Sequence, residues 1–199
     1  MNIDCMGLYK KPVVLLLSGG LDSTVLLFDL IQQNCSVHCV LFDYGQTHAN
    51  RELPIARWFC SLTGTPFTEI KIPKLGGSIL TDGLGTKVVP NRNAIFISIA
   101  ISIAAKATAE AVCFACNKDD SSDFPDCRRE FVKAMNEASK ASGSNVEVCA
   151  PYIDLTKREI VGIGKRFGVP MNETWSCYQG DPKECGVCDA CIKRTEALA

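Results

Sequence analysis

The sequence predicts an α/β protein with a Rossmann-like, doubly wound parallel sheet of about five strands, followed by a small cysteine-rich segment. Short apolar segments alternate with amphipathic ones, which is typical of parallel strands joined by crossover helices. The first strand, residues 12–17 (PVVLLL), is apolar throughout, as expected for a strand buried on both faces. The length of 199 residues and the hydrophobic content of 47% suit one domain with a sizeable core.

The remaining elements follow in a regular order. The first strand leads into an apolar helix that contains Val25, Leu26, Leu27, Leu30 and Ile31. Short runs of β-branched and other apolar residues predict further strands at residues 36–44, 66–72, 111–115 and 146–149. Apolar residues at helical spacing predict further helices at residues 51–63, 93–109, 128–141 and 156–167.

Local signals mark the ends of several elements. Gly64 follows the helix at 51–63 and is a typical helix stop. Thr156 and Glu159 have the spacing of a capping box at the start of the last predicted helix. A Gly-rich connection covers residues 73–90, and a polar loop rich in Asp and Ser covers residues 116–126. Ligands of such sheets bind beyond the carboxyl ends of the strands, so we expect the site where polar segments follow strands.

Composition excludes several classes of function. Lys and Arg total 21 and Asp and Glu total 22, which gives a net charge of −1. This charge argues against sequence-independent binding to the phosphates of nucleic acid, which requires an excess of basic residues. The longest apolar run, residues 94–105 (AIFISIAISIAA), is too short to cross about 30 Å of hydrocarbon, so it predicts a buried helix and no membrane span. Residues 1–10 lack a secretory pattern, so we expect a cytoplasmic protein whose cysteines form no disulfides.

The loop between the first strand and the first helix has the character of an anion site. Residues 18–23 read SGGLDS. Two glycines let backbone N–H groups approach an anion, Ser18 and Ser23 offer hydroxyl donors, and the helix N-terminus adds a favourable dipole. The loop has neither the Gly-Lys-Ser/Thr ending of a Walker loop nor a GxGxxG fingerprint. A tight strand-to-helix turn with a serine cap is the alternative interpretation.

Four cysteines near the end of the sequence have the spacing C-x7-C-x2-C-x2-C: Cys177, Cys185, Cys188 and Cys191. Four thiolates surround a tetrahedral Zn²⁺, although an iron–sulfur cluster uses similar spacing. Four cysteine ligands leave no position for an activated water, so we expect a structural zinc. We therefore divide the chain into an α/β domain at 1–172 and a zinc-binding segment packed on it at 173–199. The other cysteines lack ligand spacing and are expected in the core: Cys5, Cys35, Cys39, Cys60, Cys113, Cys116, Cys127 and Cys149.

The sequence SGGLDST resembles the pyrophosphate-loop (PP-loop) motif of the ATP pyrophosphatase superfamily. Members of that superfamily cleave ATP between the α- and β-phosphates and transfer AMP to an oxygen of the substrate. The resemblance implies a site for ATP with Mg²⁺ formed by Leu17, Ser18, Gly19, Gly20, Leu21, Asp22, Ser23 and Thr24.

Three further segments narrow the resemblance. They are residues 42–48 (FDYGQTH), 89–93 (VPNRN) and 124–128 (FPDCR). With SGGLDST and the cysteine cluster, they resemble in order the 7-cyano-7-deazaguanine synthase (QueC) family of queuosine biosynthesis, over about residues 13–194. The resemblance implies an ATP-dependent carbon–nitrogen ligase that adenylates 7-carboxy-7-deazaguanine, forms the amide with ammonia and activates the amide again to give the nitrile. It also implies a homodimer that acts on a small molecule, with no nucleic-acid or membrane partner.

The resemblance also implies roles for individual residues. The candidate catalytic residues are Asp22, Ser23, Lys157 and His48. The candidate substrate-binding residues are Tyr44, Gln46, Arg92, Asn93, Asp123, Phe124, Asp126 and Arg128. Their chemistry agrees in outline, because arginine binds carboxylate or phosphate in bidentate fashion and an aspartate accepts from a guanine-like edge. Surface ion pairs for the arginines, loop solvation for the aspartates, and core packing for Phe124 and His48 are the alternatives.

Two departures from the family pattern leave the product open. Phe124 stands where the family has Tyr, and Asn91 stands where Gly is common. One alternative is a ligase that stops at the amide or joins the activated carboxylate to another amine, including a protein amine in an antiphage system. The alternative from a different class is a zinc-dependent tRNA-modifying or nucleic-acid-binding protein, which the net charge of −1 disfavours.

Overall fold

The structure, a computed structural model, describes residues 7–83 and 85–199 and contains a five-stranded, all-parallel sheet. The strands are β1 (Pro12–Leu16), β2 (Ser36–Asp43), β3 (Phe67–Lys71), β4 (Ala111–Cys113) and β5 (Glu147–Cys149). Their order in the sheet is β3-β2-β1-β4-β5. At the centre, Leu15 of β1 lies opposite Cys39 on one side and Cys113 on the other. The predicted doubly wound parallel sheet is confirmed.

The helices are α1 (Leu21–Gln32), α2 (Ala49–Thr63), α3 (Arg92–Lys106), α4 (Arg129–Ala141), α5 (Lys157–Arg166) and α6 (Asp189–Leu198). Five of them agree with predicted helices, with ends that differ by up to three residues. The sequence did not predict α6. Short 3₁₀ turns lie at Lys118–Asp120, Pro125–Cys127 and Met171–Glu173.

The helices cover the sheet on both faces because successive strand side chains point in opposite directions. On β1, Val13 and Leu15 pack with buried residues of α1, α2 and α5. Val14 faces the other way and packs with buried residues of α3 and α4. These β1 side chains are at most 1% exposed, so each stabilises the fold by about 1.5–3 kcal/mol through burial. A central strand fixed on both faces gives the following loop a rigid base.

Predicted local signals hold at several helix ends. Thr156 and Glu159 form a reciprocal capping box: Glu159 N donates to Thr156 Oγ1 (3.3 Å), and Thr156 N donates to Glu159 Oε2 (2.8 Å). Gly64 ends α2 in the left-handed region, with φ of 66°. Asn91 precedes α3 with φ of 60°. Asn tolerates the left-handed region better than most residues other than Gly, so it suits this position.

The cysteines outside the predicted zinc site are mostly in the core. Cys39, Cys60, Cys113, Cys116, Cys127 and Cys149 are buried, Cys35 is half-buried, and Cys5 lies outside the described residues. Cys149 is disulfide-bonded, so the expectation that these thiols remain free is wrong at that residue. That expectation depended on an assumed compartment and on no property of the residue itself.

The long apolar helix α3 is a core element, as predicted: Ile97, Ala100 and Ala104 are fully buried on its inner face. Within residues 7–83 and 85–199, no helix combines the length and apolar character needed to cross a bilayer.

Candidate functional site

The carboxyl ends of β1, β2 and β4 open into a cavity of about 290 Å³. The chain order reverses at this point of the sheet, since β2 and β3 lie on one side of β1 and β4 and β5 on the other. Open α/β sheets bind ligands at this position. The cavity is lined by these predicted site residues: Leu17, Ser18, Gly20, Leu21, Asp22, Ser23, Tyr44, His48, Arg92, Asn93, Phe124 and Lys157.

The loop at residues 18–23 is held in shape by its own serines. Ser18 Oγ and Ser23 Oγ lie 3.0 Å apart, and Ser23 Oγ donates to the Gly20 carbonyl at 3.2 Å. Gly19 has φ of 80°, and a Cβ there would lie 2.8 Å from the Glu52 carbonyl oxygen, so only glycine fits. Gly20 precedes α1 and has no side chain to cap it. The loop therefore presents the first N–H groups of α1 to an anion. Two predicted residues of the phosphate site, Gly19 and the buried Thr24, do not line the cavity.

Asp22 connects the loop to two other elements. Its Oδ2 lies 3.1 Å from Lys157 Nζ at the start of α5 and accepts from Asn117 Nδ2 at 2.8 Å. Burial disfavours the charged Lys157, but the carboxylates of Asp22 and Asp120 outweigh it, and the Lys157 pKa is raised. The other oxygen of Asp22, Oδ1, is buried without a hydrogen-bond partner among the described residues. A buried, unsatisfied carboxylate oxygen beside an anion loop fits a ligand of Mg²⁺.

The opposite end of the cavity is aromatic and carries a half-buried cation, Arg92. Arg92 Nη1 donates to Tyr44 Oη at 3.2 Å, and its guanidinium lies 5.7 Å from the centre of the Tyr44 ring. Burial lowers the pKa of Arg92, but Tyr44 and nearby carboxylates raise it more, so the net shift is upward. Phe96 stacks on Phe42 beside them at 4.1 Å between ring centres. This end suits a flat ring that carries a carboxylate.

Between the two ends, His48 pairs with Glu52. His48 Nε2 lies 3.3 Å from Glu52 Oε1, and Gln46 Nε2 donates to Glu52 Oε2 at 3.3 Å. Burial lowers the pKa of His48, but the Glu52 carboxylate raises it more, so the net shift is upward. Gln46 also binds the backbone of Tyr44 and Phe42, and it lies behind the cavity lining. Glu52 was missed by the sequence interpretation, although it lies four residues after His48 on the same helix face.

Asp123 forms ion pairs with two lysines, Lys87 and Lys193. Its Oδ2 accepts from Lys87 Nζ at 2.8 Å and lies 3.4 Å from Lys193 Nζ. Hydrogen bonds from Lys87 lower the pKa of Asp123. The side chain is outside the cavity lining, so the structure places it in an ion-pair cluster at the rim.

Two further predicted residues also lie outside the lining. Arg128 is exposed and its Nε donates to the Ser121 carbonyl at 2.8 Å, which closes the polar loop on itself. Burial raises the pKa of Asp126, with the Arg92 charge opposing the shift. From this part of the chain, Asp120, Phe124 and Cys127 line the cavity. It therefore offers the cavity a carboxylate, a ring and a thiol.

The cysteine-rich segment also contributes to the cavity, which the sequence did not predict. The missed lining residues with polar or aromatic side chains include Glu52, Asp120, Trp175, Ser176, Tyr178 and Lys193. Trp175 N donates to the Gly19 carbonyl at 3.1 Å, and Thr47 Oγ1 donates to the Tyr178 carbonyl at 2.9 Å. The second contact joins residues 131 positions apart, so no local pattern predicts it. Besides Glu52, only Asp120 of these residues had a signal in the sequence, since it is a carboxylate in the loop after β4.

The four predicted metal ligands come together. The Sγ atoms of Cys177, Cys185, Cys188 and Cys191 all lie within 4.8 Å of one another, and those of Cys185 and Cys191 are 3.9 Å apart. A tetrahedral ion with metal–sulfur bonds of about 2.3 Å requires about 3.8 Å between sulfurs, so the cluster fits one metal ion. The N–H groups of Val187 and Cys188 lower the pKa of Cys185 to about 7, which favours the thiolate that binds metal.

Replacing Cys188 by Ser is expected to remove most of the bound metal and to lower the melting temperature, because an ion bound by all four cysteines would hold this segment in place. Metal content by elemental analysis and a thermal melt measure the two effects. Cys35→Ser is the matched control, since its thiol lies outside the cluster and donates to the Leu8 carbonyl at 3.0 Å. Unchanged metal content in the Cys188 variant would contradict the four-cysteine site.

Comparison with known proteins decides the family. A family model described as queuosine biosynthesis protein QueC matches residues 12–199. The chain belongs to the QueC family. It is 40% identical to a protein named 7-cyano-7-deazaguanine synthase from Hahella chejuensis, over 100% of this chain and 93% of that one. A protein of the same name from Caldicellulosiruptor saccharolyticus is 38% identical, over 93% of this chain and 89% of the relative.

Among solved structures, the U34-tRNA thiolase NcsA from Methanococcus maripaludis, with its [4Fe-4S] cluster, shares the fold. The TM-score is 0.58 at 15% identity, over 98% of this chain and 67% of the thiolase. The expected membership of the QueC family and of the PP-loop fold is confirmed. The match to the family model covers both the phosphate loop and the cysteine cluster.

Proposed function

We propose that this QueC-family protein is an ATP-dependent carbon–nitrogen ligase that converts 7-carboxy-7-deazaguanine and ammonia, through the amide, into 7-cyano-7-deazaguanine. The observation that carries the proposal is one cavity with a phosphate loop at one end and a half-buried arginine among aromatic rings at the other. The names of the full-length relatives support the same reaction. A carboxylate oxygen is a poor leaving group, and adenylation in a shared cavity supplies both a better one and proximity.

The phosphate end performs the activation. A substrate oxygen attacks the α-phosphorus of ATP, and pyrophosphate leaves. We assign the loop at residues 18–23 to the departing phosphates, with Ser23 as a hydroxyl donor and Lys157 as the neutralising charge. Mg²⁺, when bound, neutralises the phosphate charges, and Asp22 Oδ1 would hold it.

The aromatic end orients the base. We assign Arg92, positioned by Tyr44, to the carboxylate, and Phe124 and Phe96 to the faces of the deazaguanine ring. We retain Asn93 as a polar contact, because it lines the cavity beside Arg92. The departure from Tyr to Phe at position 124 keeps a ring for stacking.

Both rounds of chemistry release protons from nitrogen. Ammonia adds to the acyl adenylate, AMP leaves, and the nitrogen loses a proton to give the amide. The amide oxygen then attacks the α-phosphorus of a second ATP, pyrophosphate leaves, and loss of AMP and of both protons on nitrogen gives the nitrile. We assign proton acceptance to Glu52 with His48, since the pair lies between the phosphate and aromatic ends of the cavity.

We assign Zn²⁺ to the four-cysteine cluster, in a structural role. An iron–sulfur cube binds each thiolate to a different iron and spreads the sulfurs, whereas here all lie within 4.8 Å. Four cysteine ligands leave no open position for an activated water. We further propose a cytoplasmic homodimer with no nucleic-acid partner, and the net charge of −1 supports the last point.

Mass spectrometry of the products tests the proposal. The protein is mixed with ATP, Mg²⁺, ammonium and 7-carboxy-7-deazaguanine, and we expect the nitrile together with two AMP for each nitrile formed. ¹⁵N-ammonium should appear in the nitrile, and a reaction without the deazaguanine should release no AMP. Accumulation of the amide alone, or consumption of ATP only when a second amine or a protein is added, would overturn the nitrile product in favour of another acceptor.

A further inference from the structure

Helix α6 connects the four-cysteine cluster to the active cavity. It starts at Asp189, directly after the metal ligand Cys188, and contains Cys191 in its first turn. Two residues later, Lys193 lines the cavity with a side chain that is 30% exposed. The metal ligands therefore fix the start of the helix that delivers this lysine.

A continuous chain of polar contacts runs from Lys193 to the phosphate loop. Lys193 Nζ donates to Asp120 Oδ1 at 3.1 Å and to the Asp119 carbonyl at 3.4 Å. Asn117, which is fully buried, donates to Asp120 Oδ2 at 2.9 Å and to Asp22 Oδ2 at 2.8 Å. One amide thus joins two carboxylates, and each carboxylate has its own lysine: Lys157 on Asp22 and Lys193 on Asp120.

A second lysine, Lys87, contacts the start of the same helix. Lys87 Nζ lies 2.8 Å from Asp189 at the start of α6 and 2.8 Å from Asp123 in the polar loop. Lys87 and Lys193 share Asp123, so the Gly-rich connection, the polar loop and α6 meet in one ion-pair cluster. The position of Lys193 is thereby set by its contacts with Asp119, Asp120 and Asp123 of the polar loop.

We propose that Lys193 is a positioning residue that keeps Asp22 and Lys157 in place for ATP. The physical reason is that the carboxylates of Asp22 and Asp120 compete for the positive charge of Lys157. Asp120 attracts Lys157 already in the present arrangement. Without Lys193, Asp120 has lost its own cation and draws Lys157 away from Asp22, which weakens the phosphate site. The inference depends on the proposed ATP chemistry, and it gives the metal cluster a function at the cavity besides folding of the segment.

The test uses Lys193→Met with binding of a non-hydrolysable ATP analogue plus Mg²⁺, measured by calorimetry. Losing a charge-assisted contact that is partly exposed should weaken binding roughly tenfold, while metal content and melting temperature stay near wild type. Lys193→Arg should restore most of the affinity, because it returns the charge. Lys133→Met is the matched control, since Lys133 is exposed on α4 away from the cavity.

A double variant separates positioning from simple loss of a contact. Adding Asp120→Asn to Lys193→Met removes the carboxylate that competes for Lys157, so the double variant should bind the analogue more tightly than Lys193→Met alone. Wild-type affinity in Lys193→Met, or a double variant weaker than Lys193→Met, would overturn the proposal. Because the readout is nucleotide binding, a wild-type protein that binds the analogue but makes no nitrile refutes the proposed product and leaves this test intact.

Discussion

Asp22→Asn is expected to lower ATP turnover by on the order of 100- to 1,000-fold while the fold is kept. The amide has the size of the carboxylate but not its charge. The ion pair with Lys157, whose Nζ lies 3.1 Å from Asp22 Oδ2, is therefore lost. The buried Oδ1, our candidate for holding Mg²⁺, loses its charge as well. Asn117, which donates to Asp22 Oδ2 at 2.8 Å, then faces a group that can itself be a donor.

Release of pyrophosphate in the presence of substrate measures this effect, and a thermal melt checks the fold. Asp154→Asn is the matched control, since Asp154 is 61% exposed, pairs with Arg129 and lies outside the cavity lining. Pyrophosphate release at the wild-type rate in the Asp22 variant, or loss of activity only together with unfolding, would contradict the role of this residue in ATP chemistry.

The sheet and the phosphate loop were predictable because their signals are local. A fully apolar strand, two glycines and an apolar helix follow one another within residues 12–31, and each constrains the next. Helix ends were less predictable. Helix α3 was expected to reach residue 109 but ends at Lys106, because the alanines that follow continue the apolar pattern beyond the last helical turn.

Helix α6 was not predictable from hydropathy. Its buried residues are Cys191, Arg194 and Ala197, so a charged residue occupies the centre of its inner face. Arg194 is 6% exposed and its Nη2 donates to the Met171 carbonyl at 2.8 Å, with Thr174 as a second partner. A buried arginine with such partners is recognised only after the chain has folded, since its partners lie about 20 positions earlier.

The polar loop after β4 shows the same limit of prediction from sequence, here within the candidate functional site. Asp120 and Asp123 look equivalent in the sequence, and Asp123 was chosen as a substrate contact. In the structure Asp120 lines the cavity, whereas Asp123 is held by lysines that lie 36 and 70 positions away. Strand order predicts which loop faces the cavity, but the direction of each side chain within it depends on distant charges.

Glu52→Gln is expected to reduce ammonia-dependent amide formation by on the order of 100-fold, because the variant loses a proton acceptor. Ammonium, the main form of ammonia at neutral pH, must lose a proton before it can attack. The Glu52 carboxylate lines the cavity close enough to the Tyr44 hydroxyl to favour its protonated form, although burial is the larger cause of the raised Tyr44 pKa. It is therefore placed to attract the cation and to accept its proton.

Hydroxylamine distinguishes this role from a structural one, since it is uncharged at neutral pH and attacks without prior deprotonation. The Glu52 variant should form the hydroxamate at close to the wild-type rate while amide formation from ammonium falls. Glu137→Gln, on the exposed face of α4, is the matched control. Equal loss with both amines would show that Glu52 only holds His48 and Gln46 in place, because a displaced pair disturbs every acceptor reaction alike.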